Sequence, residues 1–282
     1  MKASPYCLPC ILRQVLNTAR QVTEDAWLHR KVLSEAMLHL AKVDLDRSPA
    51  EIISEVERLA CKALGNHDPF AALKKQHTTA ALAVQDRVKE AIAAADDPLR
   101  VALLAAIGAN VLDGAVLGPV DLAQGVELAL AQGLVLDDYP ELLKDLEGAR
   151  RVLYVCDSAG EIVLDRLVME QLRGRGLEVA CAVRRAVVLN DAVRADAEAL
   201  GLGEVASVID TGSDDMGVPV PLTAGEFREH YQAADLVLAK GAANYETLLR
   251  DDTPAYFGIW VKCPVVARDL GVEVGERVLV RR

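Results

Sequence analysis

Aromatic residues are scarce in this chain of 282 residues, at 4% of the total. Hydrophobic residues nevertheless make up 52% of it, so the core must consist mainly of Leu, Val, Ile and Ala. A chain of this length and apolar content can bury a large core, and we expect one or two folded domains rather than disorder.

Positive charge is also in short supply, with 31 Lys and Arg against 42 Asp and Glu and a formal net charge of -11. This excess of negative charge opposes binding to nucleic acid and to anionic membranes, so we expect neither as a partner. Long apolar runs are missing too, because the best candidate for a membrane span, 101–120, is interrupted by Asn110 and Asp113.

The beginning of the sequence lacks the apolar core and the small-residue cleavage site of a secretory signal. The 6 cysteines are dispersed along the chain, which argues against a disulfide framework. We therefore predict that most cysteines are reduced thiols and that the location is cytoplasmic.

The hydrophobic pattern changes near residue 148. From Leu8 to about Leu143, apolar residues recur at intervals of three and four, which predicts helices. After Gly148, short runs of β-forming residues alternate with helical stretches, which predicts βαβ units and a parallel sheet. We expect a mainly helical region over 1–148 and an α/β domain over 149–282.

Polar residues follow the predicted strands. Since ligands of open parallel sheets bind outside the carboxyl ends of the strands, these residues are expected to converge. Asp157 and Asp191 each follow a predicted strand, and two such carboxylates suit a hard divalent cation. The alternative is that both aspartates cap helices. The strands are expected at 151–156, 177–183, 186–189, 205–209, 235–239 and 255–261, and helices at 161–173, 223–231 and 244–249.

A lysine and a glycine, Lys240 and Gly241, stand at a predicted turn from strand to helix. Backbone N–H groups and the helix dipole at such a turn favour an anion, so this is a candidate phosphate site. The spacing is not that of a Walker loop. The alternative is that Lys240 is a solvated lysine at the end of a strand.

The pair Cys7 and Cys10 places two sulfurs about one helical turn apart. That spacing suits a second metal site or a redox pair. A second Cys-x-x-Cys that would complete a zinc site is missing. The alternative is two small apolar side chains on one helix face.

Several short segments, taken in order, form a pattern more specific than any one of them. They are Cys7-Leu8-Pro9-Cys10, Gly108-Ala109-Asn110-Val111-Leu112-Asp113, Asp157-Ser158-Ala159-Gly160-Glu161 with Asp165, Asn190-Asp191-Ala192, Asp210-Thr211-Gly212-Ser213, Lys240-Gly241-Ala242-Ala243-Asn244-Tyr245-Glu246 and Lys262-Cys263-Pro264. Over nearly the whole chain, this pattern resembles the metal-dependent damage-control phosphatase family, long catalogued as domain of unknown function 89, in the form with an N-terminal Cys-x-x-Cys.

The resemblance implies an α/β fold in which a helical N-terminal region precedes a Rossmann-like three-layer domain with a mostly parallel sheet. It implies one divalent cation, Mg, Mn, Co or Ni, with Asp157 and Asp191 as ligands and catalytic residues. Ser158 stands where the family has an Asn ligand, and a hydroxyl can coordinate directly or through water. The implied activity is hydrolysis of small phosphorylated metabolites, specifically phosphomonoesters.

Hydrolysis of a phosphomonoester depends on in-line geometry and on neutralisation of charge at the phosphoryl oxygens. We hypothesise that the cation and Lys240 hold the phosphoryl group, that Asn190 and Asn244 orient it, and that either water or Asp157 attacks phosphorus. Glu161 either orients a ligand or water, or stabilises the first turn of its helix.

Two other functions stay open on the sequence. A Rossmann-like transferase, such as a methyltransferase, would use the same crevice, although G-x-G-x-x-G is missing after the first predicted strand. A non-catalytic protein that binds a metal or a metabolite would keep the fold, with Ser158 marking lost catalysis. Metal-dependent turnover of p-nitrophenyl phosphate separates the phosphatase from both.

Overall fold

The computed structural model describes residues 1–112, 121–219, 221, 223, 225–248 and 255–282. The α-helices of this part of the chain are α1 Cys7–Val22, α2 Ala26–Leu40, α3 Pro49–Leu64, α4 Ala71–Ala94, α5 Pro98–Ala109, α6 Leu122–Gln132, α7 Tyr139–Gly148, α8 Ile162–Gly174, α9 Arg194–Ala199, α10 Glu226–Ala233, α11 Ala242–Leu248 and α12 Pro264–Leu270. Its strands are β1 Leu136–Asp137, β2 Arg151–Val155, β3 Glu178–Val183, β4 Ser207–Asp210, β5 Leu236–Lys240, β6 Ala255–Trp260 and β7 Arg277–Arg281.

The described strands form one sheet in the order β1-β7-β6-β5-β2-β3-β4. Neighbouring strands are parallel except β6 and β7, which run antiparallel. Val152 of β2 lies opposite Val179 of β3 on one side and Leu236 of β5 on the other. The predicted α/β class with a mostly parallel sheet is confirmed.

Helices cover both faces of the sheet, because successive strand residues point to opposite sides. Val152 and Tyr154 of β2 contribute to an apolar core shared with α4, α5 and α8. Leu153 and Val155 contribute to a second core, which α10, α11 and α12 close. The sheet is therefore the middle of three layers.

The first three helices pack into an apolar cluster of their own, in which Ile11 and Val56 are almost completely buried. Helix α3 begins with a capping box, in which the Ser48 hydroxyl accepts from the Glu51 N–H and the Glu51 carboxylate accepts from the Ser48 N–H. Pro49 occupies the first turn, where its missing N–H is not needed. The same helix contacts α11 beside the sheet.

The segment 186–189 is not a strand, so this part of the prediction was wrong. β3 already has β2 on one side and β4 on the other, which leaves no edge beside β3 for another strand. The chain turns instead: the Asp191 N–H donates to the Val188 carbonyl at 3.1 Å, and Leu189 has a φ of 47°. Asp191 therefore follows β3 at the sheet edge rather than a strand of its own.

The other predicted strands lie within two residues of β2, β3, β4, β5 and β6, whereas β1 and β7 were not predicted. The predicted helices correspond to α8, α10 and α11, with Leu249 outside the described residues. The division at residue 148 stays a prediction; β1, which precedes it, pairs with β7.

The described helices include none that is long and apolar enough to cross a membrane. Asp113 and the rest of 113–120 lie outside the described residues.

Candidate active site

The strand order changes direction between β2 and β5. From β2 the chain adds β3 and β4 on one side, then returns to place β5 and β6 on the other. Ligands of open α/β sheets bind at such a switch point, outside the carboxyl ends of the strands. Asp157 follows β2 by two residues and Gly241 directly follows β5. Both residues therefore lie at the crevice where a ligand is expected.

Backbone pairing brings the two predicted aspartates together. An isolated antiparallel β-bridge joins Ser158 to Asp191, and the Ala192 N–H donates to the Asp157 carbonyl at 2.8 Å. The loop after β2 and the loop after β3 are thus held side by side at the carboxyl edge of the sheet.

Arg184, directly after β3, positions the carboxylate of Asp191. The guanidinium is fully buried, and its Nε donates to Asp191 Oδ2 at 2.7 Å. Nη1 donates to the Gly217 carbonyl at 2.6 Å, and Nη2 donates to Asn244 Oδ1 at 2.9 Å. Because these partners fix the planar group on several sides, Arg184 both offsets the charge of Asp191 and limits its orientation.

Gly241 allows the turn after β5 to approach Asp157 closely. Its φ is 80°, in the region that favours glycine. A Cβ at this position would overlap the carboxylate group of Asp157. The glycine is therefore required both by the backbone conformation and by the space that the Asp157 side chain occupies.

The Lys240 ammonium is buried beneath this turn. Nζ donates to the Ala106 carbonyl at 2.7 Å, to Glu161 Oε2 at 3.0 Å and to Asp165 Oδ1 at 3.2 Å. Burial alone would lower the pKa of Lys240, but the charges of Asp165 and Glu161 outweigh it and raise that pKa. A phosphoryl contact would require one of these three partners to be exchanged, and the predicted contact stays a prediction.

Glu161 links several of the predicted site residues. It immediately precedes α8 and is fully buried. Its Oε1 accepts from the Ser158 hydroxyl and, at 2.8 Å, from Asn110 Nδ2, while its Oε2 accepts from Lys240. Asn110 Nδ2 also donates to Asp157 Oδ2 at 3.0 Å. Glu161 therefore orients neighbouring side chains, and the choice between ligand and helix stabiliser stays open.

Negative charge accumulates around Asp157. Burial raises the pKa of this carboxyl well above its ordinary value, and the nearby charges of Glu161 and Asp191 raise it further. Lys262 and Arg184 act in the opposite direction but do not restore the ordinary pKa. A divalent cation would favour the ionised form of these buried carboxyl groups, and carboxylate and hydroxyl oxygens are donors that hard cations prefer. The residues present therefore fit a cation of this kind.

Within the described ranges, no group of three or more His, Cys, Asp or Glu side chains is arranged to hold a metal ion. A cation at Asp157 and Asp191 would consequently need further oxygen donors. The Ser158 hydroxyl, backbone carbonyls and water are the kinds that Mg²⁺ and Mn²⁺ accept.

The two asparagines predicted to orient a substrate have different surroundings. Asn244 is fully buried, and its Nδ2 donates to the Cys156 carbonyl at 3.0 Å and to the Lys240 carbonyl at 2.6 Å. These bonds use both amide protons and hold α11 against the end of β2. The Asn190 carbonyl accepts from the Ala159 N–H at 2.9 Å, which ties its loop to Asp157. Substrate contact by either residue stays a prediction.

Cys7 and Cys10 lie in the first turn of α1 as free thiols, Cys7 buried and Cys10 half-buried. Burial raises the pKa of the Cys7 thiol, and the neighbouring Cys263 raises it further. A raised pKa disfavours the thiolate that metal binding and disulfide exchange require. Use of this pair for a metal or for redox chemistry stays a prediction.

Three residues at the site received no role from the sequence: Arg184, Asn110 and Lys262. Arg184 had one local signal, a charge directly after an apolar strand, but its partners lie far apart in sequence. Asn110 belongs to the helical region, and its carbonyl accepts from Lys262 Nζ in the loop after β6. In the sequence, Asn110 and Lys262 were noted only as members of the short segments that resemble the family.

The fold and the candidate site together define the class of this protein, an α/β protein with two carboxylates side by side at the switch point of its sheet. The model of the damage-control phosphatase ARMT1-like domain matches residues 3–278. The chain belongs to this family, so the resemblance seen in the short segments is confirmed at that level.

Two curated relatives are similar to this chain over nearly its whole length. A damage-control phosphatase of Pyrococcus horikoshii is 35% identical over 285 residues, which cover 100% of this chain and 98% of the relative. A damage-control phosphatase of Archaeoglobus fulgidus is 32% identical over 285 residues, with 99% and 98% covered. The crystal structure of a DUF89 family protein from Pyrococcus horikoshii superposes with a TM-score of 0.91 at 34% identity, covering 100% of this chain and 99% of that one.

Proposed function

We propose that this chain is a divalent-metal-dependent phosphatase that hydrolyses phosphomonoesters of small metabolites. The observation that carries the proposal is the pair Asp157 and Asp191, whose loops are joined through the backbone at the switch point of the sheet, with Glu161 close to both. Membership of a family with relatives named damage-control phosphatases supports the same class of reaction.

The residues would act as follows. Asp157, Asp191 and Ser158 would hold one cation, Mg, Mn, Co or Ni, which when bound neutralises charge on the phosphoryl oxygens. Arg184 keeps the Asp191 carboxylate in one orientation through its 2.7 Å bond. Asn110 does the same for Asp157 through its 3.0 Å bond. Preorganised side chains of this kind need little rearrangement when the substrate binds.

The proposed partner is a small phosphorylated metabolite, and the proposed location is the cytoplasm. Since the formal net charge is -11, an anionic substrate needs local positive charge, which the cation would supply. A transferase would instead need a cofactor site, and the loop after β2 presents Asp157 and Ser158 there rather than a glycine-rich turn.

The proposal is tested by turnover of p-nitrophenyl phosphate with Mg²⁺, Mn²⁺, Co²⁺ and Ni²⁺, each with a chelator control. Asp157→Asn and Asp191→Ala should each abolish metal-supported turnover while the protein stays folded, because each removes an anionic ligand. Asp86→Asn is the matched control, since the Asp86 side chain is 90% exposed on α4.

Calorimetric titration of each metal into the same variants completes the test. We expect weaker metal binding for both site variants and unchanged binding for the control. Wild-type turnover and unchanged metal affinity in Asp157→Asn and Asp191→Ala would remove these residues from the proposed site.

A further inference from the structure

The loop that follows β4, residues 211–218, connects the helical region to the candidate active site. It leaves the last strand at the edge of the sheet and packs between α3 and α11. Its bonds to α3 join residues that are 157 and 162 positions apart in the sequence. Through this loop, the position of α3 can influence side chains at the carboxyl edge of the sheet.

Helix α3 holds the loop through two residues four positions apart, Ser54 and Arg58. The Ser54 hydroxyl is fully buried; it donates to the Ala50 carbonyl at 2.7 Å and accepts from the Met216 N–H at 2.8 Å. Arg58 Nη1 donates to Asp215 Oδ1 at 2.7 Å. Because residues four apart lie on one face of a helix, both bonds fix the loop against the same face of α3.

The next peptide group of the loop, between Gly217 and Val218, is held from two further sides. The Val218 N–H donates to Thr247 Oγ1 of α11 at 2.7 Å, and the Gly217 carbonyl accepts from Arg184 Nη1 at 2.6 Å. Gly217 has a φ of 66°, and a Cβ there would lie 2.3 Å from the Ala243 carbonyl oxygen. The loop therefore has no room to move closer to α11, and the position of the Gly217 carbonyl depends on both helices.

Arg184 links this carbonyl to the carboxylate of Asp191. One planar guanidinium donates to Gly217 through Nη1 and to Asp191 Oδ2 through Nε, the latter at 2.7 Å. The side chains of Arg184 and Asp191 are 0% and 4% exposed, so water has little access to replace either bond. Because the guanidinium is rigid, a displacement of the Gly217 carbonyl tilts the whole group and changes its bond to Asp191.

We infer that Ser54 and Arg58 are positioning residues for the proposed metal ligand Asp191, and that they act through 214–217 and Arg184. The inference rests on the proposed function, because Asp191 is a metal ligand only in that proposal. The coupling between α3 and the loop of Asp191 does not depend on a metal. The helical region thus contributes to the metal site although the proposed ligands all follow β2 and β3.

Three variants on α3 test the inference. Ser54→Ala removes the acceptor of the Met216 N–H, Arg58→Met removes the ion pair, and Arg58→Lys keeps a cation at the same position. The Arg58 side chain is 52% exposed, so its replacement should leave the fold intact. Arg87→Met is the matched control: Arg87 pairs with Glu127 at 2.8 Å between α4 and α6, and the two side chains are 69% and 59% exposed.

Calorimetric titration of Mn²⁺ measures the effect on the proposed metal site. We expect Ser54→Ala to bind Mn²⁺ about twofold to thirtyfold more weakly than the wild type, the range for residues that influence a site without touching its ligand. Arg58→Met should lie in the lower part of that range, because its ion pair is half exposed. Arg58→Lys should restore most of the affinity, and Arg87→Met should bind like the wild type.

Two results of this titration would overturn the inference. In the first, Ser54→Ala and Arg58→Met melt at lower temperatures but bind Mn²⁺ with wild-type affinity, which would leave both residues with a structural role alone. In the second, Arg87→Met loses as much affinity as Arg58→Met, which would show a general effect of a lost ion pair.

Amide hydrogen exchange of the metal-free protein separates the inference from the proposed function. Peptides that cover 184–192 report on the loop of Asp191, since the Arg184 and Asp191 N–H groups are hydrogen-bonded in the structure. Ser54→Ala should speed exchange both in 211–218 and in 184–192. Faster exchange in 211–218 alone would refute the coupling. If Mn²⁺ does not bind to the wild type, the proposed function fails, and the exchange rates still decide the inference.

Discussion

Replacement of Lys240 by methionine tests the buried charge cluster beneath the turn that follows β5. Its ammonium bonds to Glu161 Oε2 at 3.0 Å, to Asp165 Oδ1 at 3.2 Å and to the Ala106 carbonyl at 2.7 Å, and all three charged side chains are fully buried. Removal of one partner from a buried ion pair costs about 3–5 kcal/mol, because the remaining charge stays unpaired. With two carboxylates left behind, we expect a loss in the upper part of that range at pH 8.

The loss should depend on pH through Asp165. Burial raises the pKa of Asp165 to about 6 even though Lys240 lowers it, so without the lysine this pKa rises further. When the pKa of an acid is higher in the folded protein than in the unfolded chain, the acid contributes to stability at pH values below its pKa in the unfolded chain. That contribution is lost as pH rises through its pKa in the folded protein. The variant keeps losing stability above pH 6, and we expect its deficit to be about 1 kcal/mol smaller at pH 5 than at pH 8.

Urea unfolding followed by far-ultraviolet circular dichroism at pH 5 and pH 8 measures both quantities. Lys74→Met is the matched control, because the Lys74 side chain is 8% exposed and pairs with Asp68, which is 31% exposed; its deficit should be smaller. A deficit below about 1 kcal/mol for Lys240→Met at pH 8, or one equal at the two pH values, would refute the reasoning.

The same variant tests the hypothesis that Lys240 also contacts the phosphoryl group. If it does, kcat/KM of the folded protein falls about tenfold to a thousandfold, which corresponds to about 1.4 to 4 kcal/mol, while metal affinity changes little. Unchanged kinetics in folded Lys240→Met would leave the lysine with the structural role alone.

Three further outcomes follow from single positions. Gly241→Ala should abolish phosphatase activity and lower the melting temperature, because the new Cβ would overlap the Asp157 carboxylate; a fully active variant would contradict this geometry. Ser158→Asn should tighten binding of Mg²⁺, Mn²⁺ and Co²⁺, with phosphatase activity at or above that of the wild type. The reason is that the amide oxygen reaches further toward the cation, while the amide NH₂ can replace the hydroxyl as donor to Glu161. Weaker binding of all three metals in calorimetry would show that serine is an adapted ligand or spacer at this position. Glu246 is buried, and burial raises its pKa to about 7. Its carboxyl group therefore destabilises the protein by up to about 3 kcal/mol as pH rises from below 4.5 to above 7. Glu246→Gln should remove that part of the pH dependence of stability in urea unfolding, and an unchanged pH profile would argue against it.

The placement of the candidate site residues at one edge of the sheet was predictable because it depends on features that are local in sequence. Each βαβ unit shows a change in hydrophobic period, and polar residues directly follow the apolar runs that became β2 and β5. The carboxyl ends of parallel strands lie at one edge, so Asp157 and Lys240 were expected there. Asp191 was placed at this edge for a partly wrong reason, since 186–189 forms a turn.

The accessibility of the predicted residues was not predictable from the sequence. Lys240 had two interpretations, a phosphate ligand or a solvated lysine, whereas its ammonium is buried against Glu161 and Asp165. Neither alternative included this arrangement, because burial depends on the packing of α5 and α8 over the strand.

The sequence by itself determined the α/β class, the strands β2 to β6, the mostly parallel sheet and the family, since these follow from periodicity and short ordered segments. Only the tertiary structure decided which polar and charged side chains meet. Asn110 of the helical region bonds to Asp157, and Arg184 bonds to Asp191 and Asn244. The physical reason is that hydrogen bonds and ion pairs act over a few ångströms in space, and residues separated by tens of positions come within that range only after the sheet has assembled.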